Sequence, residues 1–142
     1  LVAQMGDKGD YRKLSKIMLQ EIVMAPHKVD AEIKMRENMH RGIMWWRPEL
    51  QSEQDMNDIA AATQRIFELS LKHLSQWAKA ETGSRHLALA GGGALNRQAV
   101  NMIKRKWKTV HVPQNPGDPG SCVGAVLAKT KQRLDLTGKW HS

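Results

Sequence analysis

The segment HLALAGGGALNRQAV, residues 86–100, constrains the fold most, because three consecutive glycines separate a short apolar run from a helical pattern. Residues 86–90 predict a buried strand and residues 94–106 a helix. A strand that enters a helix through residues 91–93 presents backbone N–H groups at a helix N-terminus, and such groups suit an anion such as phosphate. A turn kept small for packing explains the same glycines, and the spacing leaves both interpretations open.

Two familiar phosphate motifs do not fit this stretch. Counting from Gly91, the sixth position is Asn96, where the dinucleotide-binding fingerprint requires a glycine. The lysine and hydroxyl residue of an ATPase phosphate loop are also missing after the glycines. If a nucleotide binds here, it does so through a different glycine motif.

The order of elements around the glycines predicts an α/β fold. Residues 55–82 predict a long amphipathic helix, with Asp55 or Asn57 as its N-cap and Gly83 as a left-handed C-cap. After the glycine turn follow a strand at 109–113, a Pro/Gly loop and a closing helix at 121–134. Strands separated by helices predict a parallel, three-layer α/β/α arrangement. The strands at 86–90 and 109–113 should therefore be parallel neighbours, joined by a right-handed crossover.

The N-terminal part has a weaker pattern. Residues 11–24 predict one amphipathic helix, and residues 27–54 are polar and irregular apart from IMWWRPEL at 43–50. A short helix is expected there, interrupted by Pro48. The predicted division is an N-terminal helical and irregular segment, 1–54, and an α/β domain, 55–142.

Charge is concentrated in the glycine-bearing half. Of the net charge of +8, residues 1–84 contribute nothing, with 12 basic and 12 acidic side chains, while residues 85–142 carry 10 basic and 2 acidic ones. Such a field suits a polyphosphate ligand or nucleic acid. The run KRKWK at 104–108 is also typical of a helix C-terminus, where cations suit the helix dipole.

Composition bounds the location and the thiol chemistry. The one cysteine, Cys122, rules out an intramolecular disulfide and fits a reducing cytoplasm. It lies near a helix start among small residues, where burial against a neighbouring strand predicts an inert thiol. No apolar run is long enough for a membrane span, so a cytoplasmic protein is expected.

A series of short motifs runs from about residue 58 to residue 128, with the pattern IAA…Q…FE…L…L…TG…LALAGG.ALN, then V.VPQ and GD.G…GA.LA. In this sequence the letters are Ile59, Gln64, Phe67, Glu68, Leu71, Leu74, Thr82, Gly83, residues 87–96, Val110 and residues 112–128. In the order and spacing of these motifs, the chain resembles the carbamoyltransferases of the tobramycin and nodulation type. These are relatives of the hydrogenase-maturation carbamoyltransferase and of the tRNA threonylcarbamoylation ATPase.

The resemblance implies an actin-like ATPase fold, in which two ribonuclease H-like halves enclose ATP, and it makes this chain a large part of the second half. It places four residues beside the nucleotide: Gly91, Gly92, Gly93 and Asn96. It also implies that Asp118 helps hold a divalent metal, with Fe, Mg and Mn as candidates, near the phosphates. The helix after Asp118, with small residues such as Gly120 and Gly124, would let the halves pivot.

For the complete protein, the resemblance implies hydrolysis of carbamoyl phosphate, joining of the carbamate to AMP from ATP, and transfer of the carbamoyl group to an acceptor hydroxyl or amine. The acceptor and the catalytic residues are not indicated. The first half and a C-terminal domain are expected to lie outside this chain, which alone should be inactive. Gly93 and Arg97 depart from the family pattern, where a branched residue and a cysteine are usual. Another actin-like ATPase or sugar kinase, or a basic nucleic-acid-binding domain, remains the alternative.

Overall fold

The computed structural model describes residues 6, 10–24, 34–35, 38, 41–134 and 140–141. The chain divides into two compact units, Leu1–Gly83 and Ser84–Ser142. The helices are α1 (Asp10–Glu21), α2 (Ile43–Trp46), α3 (Glu53–Thr82), α4 (Arg97–Lys104) and α5 (Asp118–Thr130). The strands are β1 (Val23–Met24), β2 (Lys34–Met35), β3 (His86–Ala88), β4 (Thr109–His111), β5 (Arg133–Leu134) and β6 (Trp140–His141). The described residues are mostly helical with small sheets, in agreement with the α/β class.

The first unit is built on the packing of α1 against α3. Its core consists of Met18 and Ile22 from the α1 region and Ala62 and Ile66 from α3. Four partly buried side chains surround this core: Tyr11, Leu14, Leu19 and Trp46. Because α3 packs on α1, it belongs to the N-terminal unit, and the boundary between the units falls at Gly83 instead of before residue 55.

The helix α1 is shorter than predicted. It ends at Glu21, and the next residues form β1, which pairs antiparallel with β2 through Val23↔Met35 and Met24↔Lys34. The sequence pattern predicts a longer helix because Ile22 continues the apolar stripe of α1. Ile22 is indeed buried, but as the residue that leads into the strand. The short α2 ends at Trp46, before Pro48, as predicted.

The two ends of α3 are both set by side-chain or backbone caps. Gly83 has φ 65° and donates its N–H to the Lys79 carbonyl oxygen at 2.9 Å, which confirms the predicted left-handed C-cap. The N-cap prediction is wrong, because Ser52 is the cap. Asp55 serves instead as the third helical residue of a capping box: its backbone N–H donates to Ser52 Oγ, and its carboxylate accepts from the Ser52 N–H at 3.0 Å.

In the second unit, β3 and β4 are parallel neighbours with His86↔Thr109, Leu87↔Val110 and Ala88↔His111 in register. This confirms the predicted parallel pairing around α4. The strands are shorter than expected, and β3 is less buried than predicted, since His86 and Ala88 are exposed and Leu87 is half-buried. The prediction of a buried strand is therefore wrong for the described residues, because the pair has no further strand beside it in this sheet. No described helix is long and apolar enough to cross a membrane.

Candidate functional site

The glycine turn follows β3 directly. Gly91 has φ 89°, a left-handed value that side chains rarely adopt, and all three glycines are exposed. Residues Gly92–Leu95 form a 3-10 turn, in which the Ala94 N–H donates to the Gly91 oxygen at 3.0 Å and the Asn96 N–H to the Gly93 oxygen at 3.1 Å. The first N–H group that forms a hydrogen bond within the turn is therefore that of Ala94, and the N–H groups of Gly92 and Gly93 precede it along the chain.

The prediction that the glycines enter the α-helix directly is wrong. The 3-10 turn comes between them, and α4 begins at Arg97 with Asn96 as its N-cap. Asn96 Oδ1 accepts a hydrogen bond from the Ala99 N–H at 3.1 Å. The side-chain oxygen of a residue predicted to contact nucleotide is therefore engaged in starting a helix, a role that Asn often has.

The glycine turn and the loop after β4 lie against each other. The Gly91 N–H donates to the Pro116 carbonyl oxygen at 2.6 Å. A Cβ built on Gly117 would lie 3.7 Å from Gly92 Cα, and both Pro116 and Gly117 are buried. The two loops meet because both follow the carboxyl ends of adjacent parallel strands, which is where open α/β sheets bind ligands. Sequence reasoning did not identify Pro116 and Gly117 as part of the site, although NPGDPG is evidently a turn.

Asp118 is the first residue of α5, directly after the buried Gly117. Its side chain is exposed, and its place in the first turn suits a carboxylate because the helix dipole is positive there. A carboxylate is a hard oxygen ligand that fits Mg²⁺, Mn²⁺ or Fe²⁺. Within the described residues, no group of three or more histidine, cysteine, aspartate or glutamate side chains could hold a metal ion. Among the described residues, Asp118 is therefore a single exposed carboxylate, and no further such side chains gather around it to form a metal site.

The small residues of α5 have different surroundings. A Cβ on Gly120 would overlap the carbonyl oxygen of Asn115, so this glycine permits the loop to fold back on the helix start. A Cβ on Gly124 would meet no described atom within 4 Å. Cys122 is exposed, and α5 buries none of its residues within the described part of the chain. The prediction that a neighbouring strand buries Cys122 is wrong here.

The basic run at 104–108 stands at the C-terminal end of α4, as predicted. It lies near the amino ends of β3 and β4, whereas the glycine turn lies at their carboxyl ends. α4 ends at Lys104, and Trp107 is buried at 8% exposure among the cations that follow. The Lys108 N–H donates to the Arg85 oxygen at 2.8 Å, just before the two strands begin. The candidate ligand site therefore lies at the carboxyl ends of the strands, and this cationic group lies at their amino ends.

The sequence model of the carbamoyltransferase N-terminus matches residues 9–127. The chain belongs to the carbamoyltransferase family. The match begins well before residue 58, where the resemblance begins, and takes in both the α1–α3 packing and the two adjoining loops. The N-terminal segment is thus part of the family's own sequence.

A relative in Synechocystis sp. (strain ATCC 27184 / PCC 6803 / Kazusa), the uncharacterized protein sll1178, is 36% identical to this chain over 89 residues. The aligned region covers 61% of the chain and 14% of that relative, so the chain spans a small part of the relative's length. No solved structure matches the chain significantly.

Proposed function

We propose that this chain supplies nucleotide-binding residues of an ATP-dependent carbamoyltransferase. One observation carries the proposal: the glycine turn and the loop that leads to Asp118 adjoin at the carboxyl ends of two parallel strands, with the Gly91 N–H bonded to the Pro116 oxygen. The amides of the exposed Gly92 and Gly93, which come before the first hydrogen bond within the turn, can approach phosphate oxygens closely. Membership of the carbamoyltransferase family supports carbamoyl transfer over a sugar kinase or another actin-like ATPase.

In the proposed reaction, carbamoyl phosphate is hydrolysed to carbamate and phosphate, and carbamate displaces pyrophosphate from ATP to give carbamoyl adenylate. The carbamoyl group then passes to an acceptor hydroxyl or amine, and AMP is released. This chain's part is to bind and orient the nucleotide at Gly91, Gly92, Gly93 and Asn96. Asp118 would be one ligand of a divalent metal, Fe, Mg or Mn, which offsets phosphate charge when bound. A cytoplasmic location remains a prediction from the sequence.

The larger architecture belongs to the same proposal. The order strand, glycine turn, helix, strand, loop, helix in the second unit fits half of an actin-like ATPase domain of the ribonuclease H-like type. In that arrangement, further strands would extend the two-stranded sheet and a second half would cover the nucleotide. The exposure of β3 and α5 supports this, since such surfaces commonly pack against other elements.

Gly92 offers the sharpest test, because a Cβ built there meets no described atom within 4 Å and its φ is not left-handed. Gly92→Val in the intact protein should leave folding unchanged and abolish ATP binding, since the new side chain would occupy the space of the ligand. Gly92→Ala should have a smaller effect. Ala80→Val, which also ends with a valine side chain but at an exposed position of α3, should bind ATP as the wild type does. Isothermal titration calorimetry measures each, and normal ATP binding by Gly92→Val would refute the nucleotide assignment.

Asp118 should behave differently from the glycines. A carboxylate that acts through a metal matters most where phosphate charge changes, so Asp118→Ala should lower turnover by orders of magnitude and alter ATP affinity little. Asp118→Asn retains the size of the side chain and should be equally inactive. The measurement is carbamoyl-phosphate-dependent consumption of ATP at saturating metal. Activity near the wild-type level in either variant would remove Asp118 from the proposed site.

A further inference from the structure

An open groove of about 260 Å³ lies between α4 and the segment that follows β4. Its polar lining is Arg97, Asn101, Lys104 and Gln114, and its apolar lining includes Leu95 and Pro113. Pro116 also lines this groove, and its carbonyl oxygen accepts a hydrogen bond from the Gly91 N–H, so the groove adjoins the glycine turn. The volume is just below the range of about 300–1,000 Å³ that is usual for small-molecule pockets, so a compact ligand is expected.

The groove is electrically one-sided. Arg97, Asn101 and Lys104 are spaced four and three residues apart, so they share one face of α4, and both cations are exposed. No acidic side chain of the described residues lines the groove. Two cations and two amides that converge on one concavity are donors for an anion.

The position of Arg97 strengthens this argument. It is the first residue of α4, where the helix dipole is positive and favours anions over cations. A cation at that point is unfavourable for the helix by itself. An anionic ligand would offset both the guanidinium charge and the helix terminus.

The apolar side of the groove indicates the rest of the ligand. Leu95 is 65% exposed and Pro113 is half-buried, and the buried Val100 is also part of the lining. These side chains can contact a ring or a short carbon chain but cannot hydrogen-bond to it. A ligand that combines an anionic group with an apolar body would therefore fit both sides of the groove.

We propose that this groove binds a small organic phosphate with two anionic groups, one near Arg97 and one near Lys104. Two turns of helix separate these residues, about 10 Å between their Cα atoms, and their long side chains shorten that span. A diphosphate or bisphosphate can engage both cations, whereas one orthophosphate engages them less well. The proposal does not depend on ATP binding at the glycine turn.

The test uses inorganic pyrophosphate and orthophosphate as probes, titrated into the intact protein at low ionic strength, where charge effects are least screened. Pyrophosphate should bind more tightly than orthophosphate. Arg97→Gln and Lys104→Gln should each weaken pyrophosphate binding by about tenfold or more, because each removes a charge-assisted contact. Arg105→Gln is the matched control: it removes an exposed cation at the end of the same helix and outside the groove, and it should change affinity by less than about twofold.

Three outcomes would overturn the proposal. The first is no pyrophosphate binding at millimolar concentration. The second is equal weakening by Arg105→Gln, which would mean diffuse attraction to the basic unit. The third is loss of pyrophosphate binding in Gly92→Val, which would place the probe at the glycine turn. If Gly92→Val retains pyrophosphate binding and loses ATP binding, the result supports the groove as an anion site and, separately, the glycine turn as the ATP site.

Discussion

Asn96 combines two roles that a single substitution would confuse. Its Oδ1 accepts from the Ala99 N–H as the cap of α4, and the proposed function also sets its side chain beside the nucleotide. Asn96→Ala removes both, and loss of the cap alone costs about 0.5–2 kcal/mol of helix stability. Serine caps helices about as well as asparagine, so Asn96→Ser retains the first role and changes the second.

We expect Asn96→Ser to leave hydrogen exchange in α4 unchanged and to weaken ATP binding by about tenfold or less, the range for one neutral hydrogen bond. Asn96→Ala should weaken binding to a similar degree and also speed exchange at the start of α4. Calorimetry and hydrogen exchange by mass spectrometry measure the two effects. Wild-type ATP affinity in Asn96→Ser would limit Asn96 to its capping role.

Single residues also mark where sequence reasoning succeeded and failed. Gly83 was predictable, because a glycine directly after an apolar periodic run has few other uses. Ser52 was missed, because SEQD carries aspartate in the position where the familiar capping box has glutamate or glutamine. Cys122 was placed in a buried setting from its small neighbours, and no local pattern could reveal that α5 buries none of its residues here.

At the scale of elements, α3 depends on its first turn. The Ser52 hydroxyl is the largest cause that lowers the pKa of Asp55, and the Ser52 backbone N–H contributes as well. A lowered pKa in the folded state means that the carboxylate stabilises the helix above its ordinary pKa of 3.8, and that this contribution is lost as pH falls through the lower folded value. The capping box is therefore complete at neutral pH and weakens only in strong acid.

Ser52→Ala should accelerate hydrogen exchange at the start of α3 at neutral pH by about 2- to 30-fold, which corresponds to a cap worth about 0.5–2 kcal/mol. Because protonation of Asp55 removes part of the same box, the difference between Ser52→Ala and the wild type should shrink below pH 3.8. Thr63→Ala, at an exposed position in the middle of α3, is the control and should leave exchange at the helix start unaltered. An unchanged exchange rate in Ser52→Ala would show that packing against α1 alone fixes this end.

The elements themselves were more predictable than their boundaries. The long apolar stripe of α3 predicts the helix, and the alternation of strand and helix patterns after Gly83 predicts the parallel strand pair. Both predictions succeed because the spacing of apolar residues follows directly from backbone geometry. The start of α4 at Arg97 was not predictable in the same way. Glycines permit several turn geometries, and the hydrogen bond from Gly91 to Pro116 that accompanies this one joins segments distant in sequence.

At the scale of the whole molecule, the main expectation concerns the chain by itself. The proposed function requires a second half to enclose ATP, and the exposed glycine turn offers contact on one side. The 142 residues alone should therefore bind ATP no more tightly than about millimolar, equivalent to about 4 kcal/mol. Calorimetry on the chain and on the intact protein provides the comparison. Micromolar binding by the chain alone would mean that the site is complete without a second half.

The hydrogen bond between the Gly91 N–H and the Pro116 oxygen has a mechanical consequence. It fastens the turn after β3 to the loop that ends where α5 begins, and buried Gly117 seats that loop against Gly92. A change in the backbone of Gly91 would therefore alter the hydrogen bond at Pro116, two residues before α5 begins at Asp118, through main-chain atoms alone.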